Sequence, residues 1–246
     1  MKRLMAIFVV ILTAFGYTTG IKFEEGRKDI DPKNDIKTQR HVVLLGASLG
    51  IAWNISSLSE RINNSDYVFE YVRSLGFDKS NTLNNILLRR ENKPHAILIK
   101  ECAAYFPGDL DQYKNLMKQW IEECQEQDVV PVPVTVVPVT RLHSFKKILI
   151  DIVKVRNPLK EGNPFKNNRN KAILEYNDWI RIYSRKFGLA VLDLEAAVRY
   201  SGANRFLRED FGRVDGLHLN RKAYKAIDQI VIPTLEKVNW KNKKSD

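Results

Sequence analysis

The chain has 246 residues, of which 44% are hydrophobic and 28% are charged, with a formal net charge of +11 at pH 7. This length and composition predict one globular domain with a substantial core, and the absence of internal repeats and biased segments excludes repeat and low-complexity proteins. Two cysteines, Cys102 and Cys124, are too few for a disulfide framework.

The first twenty residues have the pattern of a secretory signal peptide or an N-terminal anchor. Lys2 and Arg3 precede an apolar run from Leu4 to Phe15 that is accompanied by small residues. A positive segment, a short apolar core and small residues near a cleavage site are typical of a signal peptide. Because the run is shorter than the ~20 apolar residues of a spanning helix, we expect export to the periplasm or to the outside of the cell.

The rest of the chain divides by composition into a linker, one domain and a tail. Residues 21–40 are charged and lack hydrophobic periodicity, which predicts a linker after the signal peptide 1–20. Residues 41–240 carry the strands and helices of a single predicted domain, and residues 241–246 form a short basic tail.

Short apolar stretches in the domain alternate with longer segments that carry apolar residues at three- and four-residue intervals. The short stretches predict strands, of which the fourth contains three prolines and can be an internal strand only in part. The longer segments predict helices, and Asn220 is the expected N-cap of the last one. The predicted strands cover residues 41–46, 67–73, 95–100, 129–139 and 189–194, and the predicted helices include residues 109–127, 168–187 and 220–238.

This alternation predicts a parallel sheet that is covered by helices on both faces. We therefore expect an α/β fold of three layers, α/β/α, with a central sheet of five parallel strands. Right-handed crossovers place the loops that follow the strands along one edge of the sheet, where sites form. Ser48 lies on such a loop.

The loop after the first strand reads GASLG, residues 46–50, and several interpretations of it exist. As a dinucleotide-binding turn it has Ala52 in place of the third glycine, and no tyrosine of the chain has the lysine four residues later that short-chain dehydrogenases use. As the nucleophile elbow of an α/β-hydrolase, this loop lies too early in the domain, because the elbow serine usually follows several strands and Ser48 follows the first. Ser48 is then either the nucleophile of a hydrolase with an N-terminal serine or a simple helix cap.

A candidate partner for Ser48 lies near the end of the chain, in the sequence RVDGLHLN. A serine hydroxyl becomes a good nucleophile when an imidazole takes its proton, and the imidazole needs a carboxylate to fix its tautomer. Asp215 and His218 supply both groups from one turn of backbone. The simpler interpretation is a helix-capping loop with a surface histidine.

These blocks together resemble the SGNH, or GDSL-type, hydrolases. In that family a serine follows the first strand, here in Gly46-Ala47-Ser48, and an Asp-x-x-His block precedes the C-terminal helix, here at Asp215 and His218. The resemblance covers roughly residues 41–235. It implies a flavodoxin-like fold, with Ser48 as nucleophile, His218 as general base and acid, Asp215 as its orienting partner, and no metal or organic cofactor.

The resemblance also implies an oxyanion hole, formed by the N–H of Ser48, a glycine after the second strand and an asparagine after the third. Gly76 fits the glycine, although a plain turn is its simpler role. Where the asparagine is expected, the chain has Glu101, Cys102, Ala103 and Ala104. A protonated Glu101 or a backbone N–H of the turn at Ala103 are the candidate replacements, while an ion pair between Lys100 and Glu101 is the simpler interpretation.

We therefore expect an exported serine esterase that cleaves an O-acyl ester, with an acetylated glycan as the leading substrate hypothesis. An O-acyltransferase with the same triad and a non-catalytic binding protein for anionic glycan or lipid are the alternatives. Residues 141–171 hold nine Lys or Arg residues against two acids, which predicts either an anionic contact surface or a solvated face. Nucleic acid is not an expected partner, given the export signal and the absence of a recognised motif.

Overall fold

The structure is a computed structural model that describes residues 39–141, 169–203 and 205–240. The predicted signal peptide 1–20, almost all of the linker, most of the basic block 141–171 and the tail 241–246 lie outside these residues. None of the helices in the described ranges combines the length and apolar character that a membrane crossing requires.

The described strands form one parallel sheet. In chain order they are β1 (Arg40–Gly46), β2 (Tyr67–Arg73), β3 (Ala96–Lys100) and β4 (Val130–Val134), and they lie side by side in the order β2-β1-β3-β4. The predicted parallel sheet is confirmed. Because every strand runs in the same direction, the loops after β1, β2, β3 and β4 all lie at one edge, which we call the carboxyl edge.

Helices follow the strands as the periodicity predicted. Asn220 caps the last helix as predicted, since its side chain accepts hydrogen bonds from the N–H groups of Lys222 and Ala223 at 2.9 and 3.2 Å. The helices are α1 (Leu49–Trp53), α2 (Leu58–Arg61), α3 (Ser80–Leu87), α4 (Leu110–Glu126), α5 (Arg169–Lys186), α6 (Leu194–Val198) and α7 (Arg221–Leu235), with short 3-10 turns at Ile55–Ser57, Ala103–Tyr105 and Glu209–Phe211.

The sheet packs against helices on both faces, because successive residues of a strand point to opposite sides. On one face, Leu44 of β1 and Leu98 of β3 belong to a buried cluster with Ile227 and Val231 of α7. On the other, the neighbouring residues Leu45, Ile97 and Ile99 belong to a cluster with Leu83 of α3 and Met117 and Trp120 of α4. The predicted three-layer α/β/α architecture is therefore present.

The predicted fifth strand is shorter than expected. Of residues 189–194, only Leu192 pairs with β4, through a single parallel bridge to Val134. The reason lies in β4, whose outer edge carries Pro131 and Pro133, and proline has no N–H to donate to a further strand. The first donor on that edge is the N–H of Thr135, which bonds the Leu192 carbonyl at 3.1 Å, while the Leu192 N–H bonds the carbonyl of Pro133 at 3.0 Å.

Candidate active site

Ser48 lies two residues after β1, at the N-cap position of α1. Its backbone is helical, with φ −48° and ψ −27°, and its side chain makes no capping hydrogen bond, so the simple role of a helix cap is not the one that the structure shows. In the described structure neither its hydroxyl nor its N–H donates a hydrogen bond. Both groups are thus available to a ligand at the carboxyl edge.

A tyrosine of the neighbouring strand holds the serine turn in place. The hydroxyl of Tyr71 in β2 donates to the carbonyl of Ala47 at 2.7 Å, with the carbonyl of Gly46 at 3.2 Å. The ring lies so close to α1 that a Cβ added to Gly50 would be 2.1 Å from a ring carbon. The second glycine of GASLG therefore makes room for Tyr71, a role that its sequence context did not reveal.

We expect the substitution Gly50→Ala to destabilise the protein by about 1–3 kcal/mol, because the added methyl group displaces the Tyr71 ring from a packed position. Urea unfolding of the two proteins measures the difference. In a Tyr71→Ala background the same substitution meets no ring, so its cost should largely disappear. An equal cost in both backgrounds would show that the contact with Tyr71 is not the cause.

Asp215 and His218 form a closed unit within one turn. One carboxylate oxygen of Asp215 accepts hydrogen bonds from the N–H groups of Leu217 and His218, each at 2.9 Å. The other lies 2.6 Å from Nδ1 of the His218 ring. Since Nδ1 faces the carboxylate, Nε2 is the ring nitrogen that remains for a serine hydroxyl.

The electrostatics of this turn favour an ionised carboxylate. Burial raises the pKa of Asp215, but the hydrogen bonds from the His218 N–H, the His218 ring and the Leu217 N–H together outweigh it and lower the pKa to about 2. Asp215 is therefore an anion at neutral pH and can stabilise a protonated imidazole.

The Asp-x-x-His turn is attached to the loops at the carboxyl edge. The N–H of Thr140, six residues after β4 ends, donates to the carbonyl of Gly216 at 3.1 Å. Leu217 packs against a buried cluster that includes Ala103 and Phe106, which follow β3. No hydrogen bond joins Ser48 to His218 in the described structure, so the assignment of Ser48, Asp215 and His218 to one triad remains a prediction.

The predicted oxyanion glycine follows β2 and has a hydrogen-bond partner. Gly76 has a φ of +90°, a backbone conformation that favours glycine. Its N–H donates to the hydroxyl of Tyr105 at 2.8 Å. The donor that the family pattern assigns to an oxyanion is thus bound to a phenol in this structure.

Glu101 is a member of a buried ion pair. Its two carboxylate oxygens accept from Nζ of Lys79 at 2.8 and 2.7 Å, and both side chains are at most 2% exposed. Burial raises the pKa of the Glu101 carboxyl, and the ammonium of Lys79 opposes this rise. The ion-pair interpretation fits, but the partner is Lys79, because Lys100 instead donates to the backbone carbonyl of Glu101 at 2.7 Å.

Ala103, the other candidate replacement for the asparagine, begins the 3-10 turn after β3. The N–H groups of Ala103 and Ala104 have no backbone acceptor within the described part of the chain, as expected in the first turn of a helix. They are free donors at the carboxyl edge. Within residues 39–141, 169–203 and 205–240, no three His, Cys, Asp or Glu side chains cluster as a metal site requires.

Three residues at this edge were not predicted from the sequence, namely Tyr71, Lys79 and Tyr105. Tyr105 had a detectable signal, since it is a polar side chain close to where the asparagine was expected. Lys79 had no such signal in the sequence, because the reason for its burial is its ion pair with Glu101, which only the folded structure reveals.

Comparison of the sequence with protein-family models and with curated proteins gave no match. Forty chains of solved structures are similar. A GDSL-like lipase from Bacteroides thetaiotaomicron is 15% identical, with a TM-score of 0.59 over 82% of this chain and 90% of its own. An esterase from Pseudoalteromonas sp., inhibited by monoethylphosphonate, is 13% identical, with a TM-score of 0.53 over 81% of this chain and 98% of its own.

A third similar structure is the periplasmic domain of a lipopolysaccharide acetyltransferase from Salmonella ser. Paratyphi A. It is 14% identical, with a TM-score of 0.56 over 81% of this chain and 85% of its own. At these identities the likeness concerns the fold. The chain has the fold of the SGNH, or GDSL-type, hydrolases, as its sequence predicted.

Proposed function

We propose that this protein is an SGNH-type serine esterase that cleaves an O-acyl ester through an acyl-enzyme. The observation that carries the proposal is the 2.6 Å contact between Asp215 and Nδ1 of His218, which orients an imidazole as a catalytic histidine requires. The fold and the unbonded hydroxyl of Ser48 at the carboxyl edge support it.

The proposed reaction begins with attack of Ser48 Oγ on the ester carbonyl while Nε2 of His218 takes the hydroxyl proton. The anion of Asp215 stabilises the imidazolium that results. His218 then gives its proton to the leaving alcohol, and a water molecule, activated by the same imidazole, hydrolyses the acyl-enzyme. The free N–H of Ser48 is one donor for the oxygen that becomes negative in each half of the reaction.

For the substrate we propose an O-acetylated glycan outside the cytoplasm. The expected signal peptide supports export, and acetyl chemistry occurs on the same fold in the acetyltransferase domain from Salmonella. Transfer of the acetyl group to a sugar would use the same nucleophile and base, with a sugar hydroxyl in place of water. Lysines and arginines of the block 141–171 would attract an acidic glycan.

A second candidate function, a non-catalytic binding protein, has one observation in its favour. The asparagine of the oxyanion hole is absent, and the N–H of Gly76 is already bound to Tyr105. Such a protein would bind acidic glycan in a salt-sensitive manner and would leave Ser48 chemically inert.

Labelling of the full chain with a fluorophosphonate probe distinguishes the two functions. We expect the wild type to be labelled and Ser48→Ala to be unlabelled, because the probe bonds only to an activated serine. Ser65→Ala is a matched control, since Ser65 is exposed and precedes β2, at the opposite edge of the sheet. Equal labelling of wild type and Ser48→Ala, or none of either, would contradict the esterase proposal.

A further inference from the structure

The structure offers a replacement for the missing asparagine that the sequence pattern did not suggest. Tyr105 ends the 3-10 turn that follows β3, in the part of the fold where the family pattern puts the asparagine. Its hydroxyl is bonded to the N–H of Gly76, the glycine of the predicted oxyanion hole, at 2.8 Å. The inference below rests on the proposed esterase function.

The direction of the hydrogen bond between Gly76 and Tyr105 decides whether the Tyr105 hydroxyl can still donate. A phenol has one O–H donor and also accepts hydrogen bonds. Gly76 donates and Tyr105 accepts, so the proton of the Tyr105 hydroxyl is not used in this contact. No acceptor for that proton is found among the described residues. The hydroxyl is therefore a donor held beside the oxyanion glycine.

Neighbouring groups fix the position of Tyr105. The hydroxyl of Tyr113 in α4 donates to the backbone carbonyl of Tyr105 at 2.7 Å. The ammonium of Lys79 lies 5.7 Å from the centre of the Tyr105 ring, a distance typical of a cation–π contact. Lys79 also donates to the carbonyl of Phe77, beside Gly76, at 3.2 Å. These contacts hold the turn after β3 against the loop after β2, with the Tyr105 hydroxyl between them.

The phenol is also in the protonation state that donation requires. Burial raises the pKa of Tyr105, against the lowering by the N–H of Gly76. Its hydroxyl therefore remains protonated at neutral pH.

We propose that the hydroxyl of Tyr105 is the oxyanion donor that takes the place of the family's asparagine. When Ser48 Oγ bonds to the carbonyl carbon, its proton moves to His218 and the π electron pair of the carbonyl moves onto oxygen. Tyr105 O–H and Ser48 N–H donate hydrogen bonds to that oxygen, and neither gives up its proton. When the bond to the alcohol oxygen breaks, the carbonyl re-forms and the leaving oxygen takes the proton from His218.

Gly76 acquires a different role in this arrangement. Its N–H polarises the Tyr105 hydroxyl, and hydrogen bonds in a chain strengthen one another. Gly76 is then a positioning residue that acts through Tyr105, and the tyrosine is the catalytic residue.

Substitution of Tyr105 by Phe removes the donor and keeps the ring. We expect kcat for a chromogenic acetyl ester to fall ~10²-fold or more, with KM changed less than about threefold, because the lost bond forms chiefly in the transition state. Binding of a boronic acid that mimics the tetrahedral state should weaken more than substrate binding. Tyr183→Phe is the matched control, since Tyr183 lies on α5, where its ring stacks on Trp179 and is tilted against Phe187 just after the helix.

A second measurement distinguishes a catalytic role of the Tyr105 hydroxyl from a purely structural one. Fluorinated tyrosine at position 105, which ionises at lower pH, should shift the alkaline limit of kcat to lower pH, because an ionised phenol no longer donates. An unchanged kcat in Tyr105→Phe would overturn the inference. A rise in kcat would also overturn it, since Tyr105 would then be blocking the N–H of Gly76.

Fluorophosphonate labelling of the same samples shows whether a negative result concerns only the role of Tyr105 or the proposed esterase function as well. If wild type is labelled at Ser48 while Tyr105→Phe retains full kcat, only the role of Tyr105 is wrong. If wild type is not labelled at Ser48, the esterase proposal and the inference that rests on it are both wrong.

Discussion

Replacement of Asp215 by Asn is expected to lower kcat/KM by about 10⁴-fold, through kcat. The carboxylate of Asp215 faces Nδ1 of His218 at 2.6 Å and selects the tautomer whose Nε2 can accept the serine proton. An amide that presents its NH₂ group to Nδ1 selects the opposite tautomer, in which Nε2 carries the hydrogen and cannot act as a base. Steady-state rates with a chromogenic acetyl ester measure the effect.

Asp210→Asn is the matched control for this substitution. Asp210 is an exposed aspartate five residues earlier, paired with Arg208 at 2.9 Å, and has no contact with His218. We expect its variant to retain kcat/KM within a few fold. A loss of less than tenfold in Asp215→Asn would show that Asp215 does not orient a catalytic imidazole.

Replacement of Lys79 by Met is expected to destabilise the protein by about 3–5 kcal/mol, because it leaves the carboxyl of Glu101 buried and unpaired. Lys79 is fully buried and bonds both oxygens of Glu101. Urea unfolding measures the loss. The double substitution Lys79→Met with Glu101→Leu removes both charges and should recover most of the stability.

The stability deficit of the Lys79→Met variant is expected to change with pH in one direction. Burial raises the pKa of Glu101 in the folded state. Without Lys79 the folded protein favours the neutral acid, whereas the unfolded chain ionises above about pH 4.3. The deficit relative to wild type should therefore grow as the pH rises above that value and shrink below it. If the Lys79→Met variant were as stable as wild type at pH 8, the ion pair between Lys79 and Glu101 would not be important for stability.

The sequence predicted those parts of the fold that depend on local patterns. Alternating strand and helix periodicities identified all four strands of the sheet and the helices α4, α5 and α7. The pairing of Asp215 with His218 was also predictable, because both residues lie on one turn and their contact needs no distant element.

The sequence did not predict features that depend on residues far apart in the chain. Prolines in β4 restrict the fifth strand to one bridge, an effect visible only once the outer edge of β4 is known. Lys79 is 22 residues from Glu101, and Gly76 is 29 residues from Tyr105. Nothing in the spacing of these residues indicates which side chains of the two loops at the carboxyl edge contact one another.

The most direct test is a crystal structure of the full chain after reaction with a phosphonate. We expect a phosphorus atom bonded to Ser48 Oγ, with Nε2 of His218 within about 3.5 Å of that oxygen. A phosphorylated Ser48 whose oxygen lies beyond bonding reach of the His218 ring, or a phosphonate on a different serine, would contradict it.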